Sequence, residues 1–172
     1  FFGPWDSGDI AADWNHDGLI NDADKYYRGS INPKFVMGIT SVFKYKSLDF
    51  SFSGRAHIGN FVRNTENYYS SYYDIFGSNG TRNIYKSQAS ARLTDTDYYI
   101  ENASFFRMDY VSLGYNFKIR NSPKVNFYAS MALQNAFVIT RYTGQDPEVV
   151  GGIPYFEYPR PRTLSFKISA DI

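Results

Sequence analysis

Residues 48–58 alternate strictly. Leu48, Phe50, Phe52, Gly54, Ala56 and Ile58 fall on one face, and Asp49, Ser51, Ser53, Arg55 and His57 on the other. A period of two held over this length is a β-strand with one apolar and one polar face. Four more stretches share the pattern. Over 34–46, Phe35, Met37, Ile39, Phe43 and Tyr45 oppose Gly38, Thr40 and Lys44, with Val36 and Val42 as exceptions. Over 105–118, Val111, Leu113, Tyr115 and Phe117 oppose Tyr110, Ser112, Gly114 and Asn116. Over 124–135, Val125, Phe127, Ala129, Met131 and Leu133 oppose Asn126, Tyr128, Ser130 and Gln134. Over 162–172, Leu164, Phe166, Ile168, Ala170 and Ile172 oppose Ser165, Lys167, Ser169 and Asp171, the phase being blurred from Arg162 to Leu164.

The connections sort these five strands. Lys46-Ser47 and Arg120-Asn-Ser-Pro123 are tight turns, which make hairpins of 34–58 and 105–135. The segments 59–104 and 140–160 are long and rich in Gly, Asn, Ser and Pro. A soluble sandwich buries its apolar faces, whereas a transmembrane barrel turns them to lipid; alternation alone does not separate the two. Short turns alternating with long loops do, because outer-membrane barrels have short periplasmic turns and long extracellular loops. With the last strand ending in the periplasm, the loops 1–33, 59–104 and 140–160 all fall outside the cell. Aromatic content agrees: 16 Tyr and 15 Phe bring Phe, Trp and Tyr to 19% of the chain. A soluble domain exposing so many rings aggregates, whereas membrane barrels use aromatic girdles at both interfaces. Five strands do not close such a barrel, and an open sheet in lipid leaves its edges unpaired at high cost. The expected fold class is all-β, an antiparallel transmembrane β-barrel segment of a larger barrel, with long extracellular loops.

One stretch carries recognisable chemistry. In Asp13-Trp-Asn-His-Asp-Gly-Leu-Ile-Asn-Asp-Ala-Asp24, oxygen side chains stand at loop positions 1, 3 and 5 (Asp13, Asn15, Asp17). Gly18 takes the sharp turn at position 6, Leu19 offers its carbonyl at position 7, and Asp24 closes the loop at position 12. This is the pattern of a calcium loop with Asp in place of the usual Glu. A hard cation needs several oxygens converging on one point, and this spacing supplies them from one segment. Ile20 is the apolar anchor, and His16 stands at a non-ligating position. The expectation is a structural Ca2+ held by Asp13, Asn15, Asp17, Leu19 and Asp24. The alternative is a polar turn whose side chains bond its own backbone.

Other features exclude functions. The chain has no cysteine, so disulfides and Cys-based metal sites are ruled out. A net charge of +1 gives no electrostatic reason to expect nucleic acid. No apolar run is long enough for a membrane helix. The opening Phe-Phe-Gly-Pro-Trp-Asp has neither Met nor a signal-peptide pattern, so the chain is expected to be part of something larger. No nucleophile–base–acid set appears, so no enzyme is expected. Asp49, Arg55 and His57 read as a polar ladder on a lumen-facing strand. Arg160 and Arg162 read as partners for carboxylates. The cluster Tyr68, Tyr69, Tyr72 and Tyr73 suits either sugar stacking or packing within the loop, with short helix expected near 65–76 or 83–92.

Several pieces, taken in order, resemble a known family. They are Gly8-Asp-Ile10, the loop Asp13 to Asp24, Gly29-Ser-Ile-Asn-Pro-Lys-Phe35, Leu48-Asp-Phe-Ser-Phe52 and Phe105-Phe-Arg-Met-Asp-Tyr-Val-Ser-Leu-Gly-Tyr-Asn-Phe117. Ala132-Leu-Gln-Asn-Ala-Phe137, Tyr142-Thr-Gly-Gln-Asp-Pro-Glu148 and Tyr158-Pro-Arg-Pro-Arg-Thr163 complete the set. Together they resemble the C-terminal barrel portion of the SusC/RagA family of TonB-dependent outer-membrane transporters from Bacteroidetes. The resemblance implies a barrel of about 22 strands, of which this chain supplies the last five. It implies import of oligosaccharides or peptides across the Gram-negative outer membrane, a SusD-like surface lipoprotein as lid, and coupling to TonB through a part of the protein not in this sequence. Such proteins usually end in an aromatic residue, whereas this sequence ends at Ile172. The rival reading is a soluble extracellular calcium-binding β-domain for carbohydrate binding or adhesion. A dockerin-type module needs a paired second calcium loop, and the sequence has only the one at Asp13 to Asp24.

Overall fold

The computed structural model describes residues 13–19, 21–70, 97–119, 122–154 and 158–171. Its strands are β1 (Phe35–Tyr45), β2 (Leu48–Ile58), β3 (Phe61–Arg63), β4 (Ile100–Asn102), β5 (Phe105–Ile119), β6 (Ser122–Thr140) and β7 (Thr163–Asp171). One short helix, α1 (Thr65–Ser70), falls in the expected 65–76 window; the 83–92 window lies outside the described residues. The chain divides into a sheet unit (Lys34–Ile58, Phe105–Thr140, Tyr158–Ile172) and a loop unit (Phe1–Pro33, Gly59–Ser104, Arg141–Glu157).

The sheet unit is a five-stranded antiparallel sheet in the order β1-β2-β5-β6-β7. Tyr45 pairs with Leu48 across the two-residue turn, so β1 and β2 match over their full length. Ser47 turns its carbonyl to β5, where the Asn116 amide donates to it at 2.8 Å. The last strand falls where alternation places it. β6 is longer than the expected 124–135, running on to Thr140. Asn135 has a left-handed backbone (φ 50), and this kink interrupts the pattern before Phe137 and Ile139 resume it.

Every apolar face in the sheet meets its like across the register. Phe43 faces Phe50, Phe50 faces Leu113, Leu113 faces Met131, and Met131 faces Phe166. These side chains are not covered by other protein. Phe35, Phe166 and Ile168 are 65%, 73% and 79% exposed. A patch of this size in water is an aggregation site, whereas in hydrocarbon it is at home.

Rings on that face cluster toward both ends of the strands. Near the tight turns stand Phe43, Phe50 and Phe52, with centroids 5.8–6.2 Å apart, and Tyr115, Phe117 and Phe127, stacked at 5.6–6.1 Å. Near the other end, Phe106 packs on Phe137 at 6.3 Å. Val111, Leu113, Met131 and Leu133 lie between them, with Phe52 opposite Val111 and Phe166 opposite Met131. Phe106 and Tyr115 are separated by about 30 Å along β5 at the usual rise per residue. A strand tilt of about 40° reduces that to roughly 23 Å, close to the height of a barrel's apolar band.

A bulge adjusts β5 at one point. Ser53 pairs with Tyr110 and Gly54 with Met108, so Asp109 is an extra residue against β2. Beyond it Arg55 and Arg107 stand directly opposite each other, an arrangement that repels. The Asp109 carboxylate meets the Arg55 guanidinium at 3.0 Å. The buried Arg107 donates to the Asn135 Oδ1 at 2.9 Å. The Asn135 amide nitrogen in turn donates to the Arg160 carbonyl at 2.8 Å, which ties the segment before β7 to the bulge.

Leu113→Arg, in the middle of the apolar face, is expected to cost the full-length barrel about 2–4 kcal/mol. Ser112→Arg, one residue away on the polar face, is expected to cost much less. Guanidinium unfolding in lipid vesicles measures both, and equal losses would show that the faces are assigned wrongly.

Candidate functional site

The loop Asp13–Asp24 is organised by its own side chains. Gly18 (φ 82) and His16 (φ 60) both adopt left-handed backbone, which lets the chain double back within a few residues. Asp13 accepts the Asp17 amide through Oδ1 at 3.1 Å and the Gly18 amide through Oδ2 at 2.7 Å. Asn15 Oδ1 also accepts the Asp17 amide at 2.9 Å, and Asp17 Oδ1 accepts the Leu19 amide at 2.8 Å. The Asn15 side-chain amide donates to Asp17 Oδ2 at 3.0 Å. Asp13, Asn15 and Asp17 are thus gathered in one turn, as their spacing leads one to expect. Ile20 lies outside the described residues.

Asp24 has a different position. It is 2% exposed. Its Oδ1 accepts the Trp14 amide at 2.8 Å and the Asn15 amide at 3.3 Å, and its Oδ2 accepts the Asn21 amide at 2.8 Å. Asn21 caps the one-turn 3-10 segment Asp22–Asp24, and its Oδ1 accepts the Ala23 amide at 2.8 Å. Asp24 is therefore a clamp that draws the start and end of the loop together. Among the described residues, no three acidic or histidine side chains are grouped so as to hold a metal.

The loop is anchored to the rest of its unit by an aromatic stack. The Trp14 and Tyr26 rings lie 5.4 Å apart and nearly parallel at 13°. The Tyr26 hydroxyl donates to the Asp97 carboxylate at 2.6 Å, and Arg28 pairs with the same carboxylate at 3.4 Å. Burial first, and then the bond to Asp97, push the Tyr26 phenol above its usual value.

A second knot joins the other segments of this unit. Asn64, fully buried, donates to Glu101 Oε1 at 2.7 Å and to the Thr143 hydroxyl at 3.0 Å. The Thr143 amide donates to Glu101 Oε2 at 2.7 Å. The Thr65 hydroxyl reaches the Pro154 carbonyl at 2.7 Å. β3 and β4 pair beside a small core of Val62, Ala103 and Tyr142. Stretches 59–70, 97–104 and 141–154 therefore form one packed body.

The tyrosines that can be placed are packed together. Tyr68 meets Tyr99 edge-on at 5.4 Å and Tyr69 at 4.8 Å, and the Arg63 guanidinium lies 4.2 Å from the Tyr68 ring. Tyr72 and Tyr73 lie outside the described residues. Sequence reasoning missed Tyr98 and Tyr99, which complete the cluster.

In the sheet unit, His57, Arg55 and Asp49 go to separate partners. His57 packs on Phe105 at 4.8 Å, Arg55 pairs with Asp109, and Asp49 lies 3.5 Å from the Asn116 amide nitrogen. They form a ladder of independent contacts, as expected.

No family model matches the chain. It is 36% identical over 180 residues to the TonB-dependent receptor SusC of Bacteroides thetaiotaomicron, covering 91% of this chain and 17% of that protein. It is 25% identical over 188 residues to the TonB-dependent receptor P3 of Formosa agariphila, covering 94% of this chain and 19% of that protein. The chain thus spans less than a fifth of either curated relative. In fold it is similar to the RagAB peptide importer in its closed-closed state, with a TM-score of 0.64 at 16% identity over 90% of this chain and 20% of that one. The open-open state of the same importer gives a TM-score of 0.61 at 17% identity, over 86% and 18%. The five-stranded sheet matches part of the barrel, which accounts for its two free edges.

The Asp24 clamp has a pH signature. The amide of Asn21 holds the Asp24 carboxyl below its ordinary value against the opposing effect of burial, with Asn15 and Trp14 adding to the lowering. The loop keeps this stabilisation above the ordinary Asp pKa of about 3.9 and loses it as pH falls through the lower folded value. Hydrogen exchange at the Trp14 and Asn21 amides should therefore lose protection in acid. Asp24→Asn should remove that dependence and raise their exchange at neutral pH by roughly tenfold. Unchanged protection in the variant would rule out the clamp.

Proposed function

Because the chain is homologous to part of the SusC/RagA-type TonB-dependent receptors, we propose that the full-length protein imports oligosaccharides or peptides across the outer membrane. Receptors of this family are transporters, not enzymes, and reside in the Gram-negative outer membrane. In this reading TonB supplies the energy through a part of the protein outside this sequence, and a SusD-like lipoprotein forms the lid. The observation that carries it is the relation to SusC across 91% of the chain. The uncovered apolar face of the sheet supports it independently.

The same reading gives this chain a share of the barrel wall and three extracellular segments, 1–33, 59–104 and 140–160. The packed knot of Asn64, Glu101 and Thr143 would hold part of this outer surface in one shape through cycles of lid opening. Cells lacking the full-length protein should lose protonophore-sensitive uptake of one oligosaccharide or peptide class, and affinity capture from detergent should recover a lipoprotein. Unimpaired uptake of every such nutrient would overturn the transport reading.

Calcium belongs to the same proposal. Asp13, Asn15, Asp17 and the Leu19 carbonyl are hard oxygen donors gathered in one turn, a set whose chemistry fits Ca2+. Asp24, the expected fifth ligand, already accepts three backbone amides and would add one further lone pair at most. A cation here would stiffen an extracellular loop and would not act as a switch. Terbium offers a direct probe, because Trp14 sits inside the loop and its indole can sensitise the ion's luminescence. Asp13→Ala combined with Asp17→Ala should abolish that luminescence and the bound calcium. A double variant that keeps both its metal content and its lid affinity would reduce the loop to a polar turn.

A further inference from the structure

The loop unit contains a cavity of about 320 Å³ that the transport reading leaves unused. Three separate stretches of chain build it. Ile31 comes from the first, Phe61 and Ile100 from the β3–β4 pair, and Ile153 from the third. Gly151 and Gly152 close one side, both in left-handed backbone at φ 78 and φ 74. A Cβ on Gly152 would strike the Ile31 side chain, so only glycine lets this backbone approach so closely.

The polar groups of the cavity are few and of one sign. Arg28 and Arg63 line it, and no carboxylate or side-chain amide does. Asp97 engages Arg28 through Nε, which steers the guanidinium. The Tyr26 hydroxyl is already committed to Asp97. A sugar ring would surrender its water here and find almost no acceptors in return. An apolar side chain loses nothing on entry, and a carboxylate next to it would meet Arg28, already paired with Asp97, and Arg63, whose guanidinium lies over the Tyr68 ring. The volume is at the small end of ligand pockets, enough for one large side chain with its neighbouring backbone and too little for a protein surface.

We propose that this cavity is a subsite for an apolar peptide residue that bears a carboxylate, of which a peptide's C-terminal residue is the simplest case. The inference rests on the import reading and narrows its ligand to peptides.

The test uses the full-length transporter purified in detergent, with acetyl-Ala-Ala-Phe as the free acid, the same peptide as its C-terminal amide, and a neutral glucose oligosaccharide. The free acid should bind at least tenfold tighter than the amide, and the oligosaccharide should not compete. Ile153→Trp, which fills the cavity, should abolish peptide binding. Arg63→Gln and Arg28→Gln should bring acid and amide to equal affinity, whereas Arg63→Lys should keep part of the difference. If the tryptophan variant fails to assemble, the arginine series decides alone. Equal binding of acid and amide by the unaltered protein, competition by the oligosaccharide, or no peptide binding at all would each overturn the proposal. Nutrient uptake by cells is scored separately. Uptake without peptide binding removes the subsite and leaves the transporter, and peptide binding without any uptake does the reverse.

Discussion

A backbone N–H or C=O left unpaired in hydrocarbon costs several kcal/mol, and the sheet unit is arranged around that cost. Its inner strands pair on both sides, while β1 and β7 each present one free edge. No strand of the described chain pairs with those edges. They make sense as seams, the places where this piece joins further strands of a closed wall. The outward rings follow from the same environment. Once backbone groups are satisfied within the wall, the outer face has only to suit lipid, and a continuous face of aliphatic and aromatic side chains with rings toward each end does so.

The loop unit solves the opposite problem. Its chain is irregular, so its polar groups cannot be satisfied by a ladder. Side chains take over that role. Glu101 accepts from Asn64 and from both donors of Thr143. Asp24 gathers three amides across its own loop, and Asp97 takes both the Tyr26 hydroxyl and Arg28. Each carboxylate replaces several missing backbone bonds. Charge-assisted bonds of this kind are stronger than neutral ones and hold together what they join. Three such centres together hold an irregular loop surface in one shape.

The strands were legible in the sequence because a period of two needs only local information. β2 was read to the residue, since nothing disturbs its alternation. β6 runs past the expected end because a polar residue, Asn135, takes one position of the apolar face with a left-handed backbone, while Phe137 and Ile139 continue the same phase beyond it. The turn of Asp13, Asn15, Asp17 and Gly18 was also legible, its spacing being local. The role of Asp24 was not, because burial and three backbone donors are tertiary facts. The cavity was invisible for the same reason: its walls come from segments far apart in the chain. Its one local sign was the adjacent pair Gly151-Gly152, which reads equally well as an ordinary flexible turn.

The extra residue at Asp109 has a consequence for how this barrel can change over time. On the far side of it the odd and even positions of β5 exchange faces, so Met108 and Phe106 join Val111 and Leu113 outside while Arg107 stays within. Removing that single residue would leave an unbroken alternation with Arg107 still within and Phe106 still outside, whereas forcing Asp109 into the ladder would turn the Arg107 guanidinium out into lipid and Phe106 into the lumen. The long loops can gain or lose many residues without altering the wall. A one-residue deletion here would therefore keep both faces of the wall and lose charge compensation, since it leaves Arg55 opposite Arg107 without the Asp109 carboxylate.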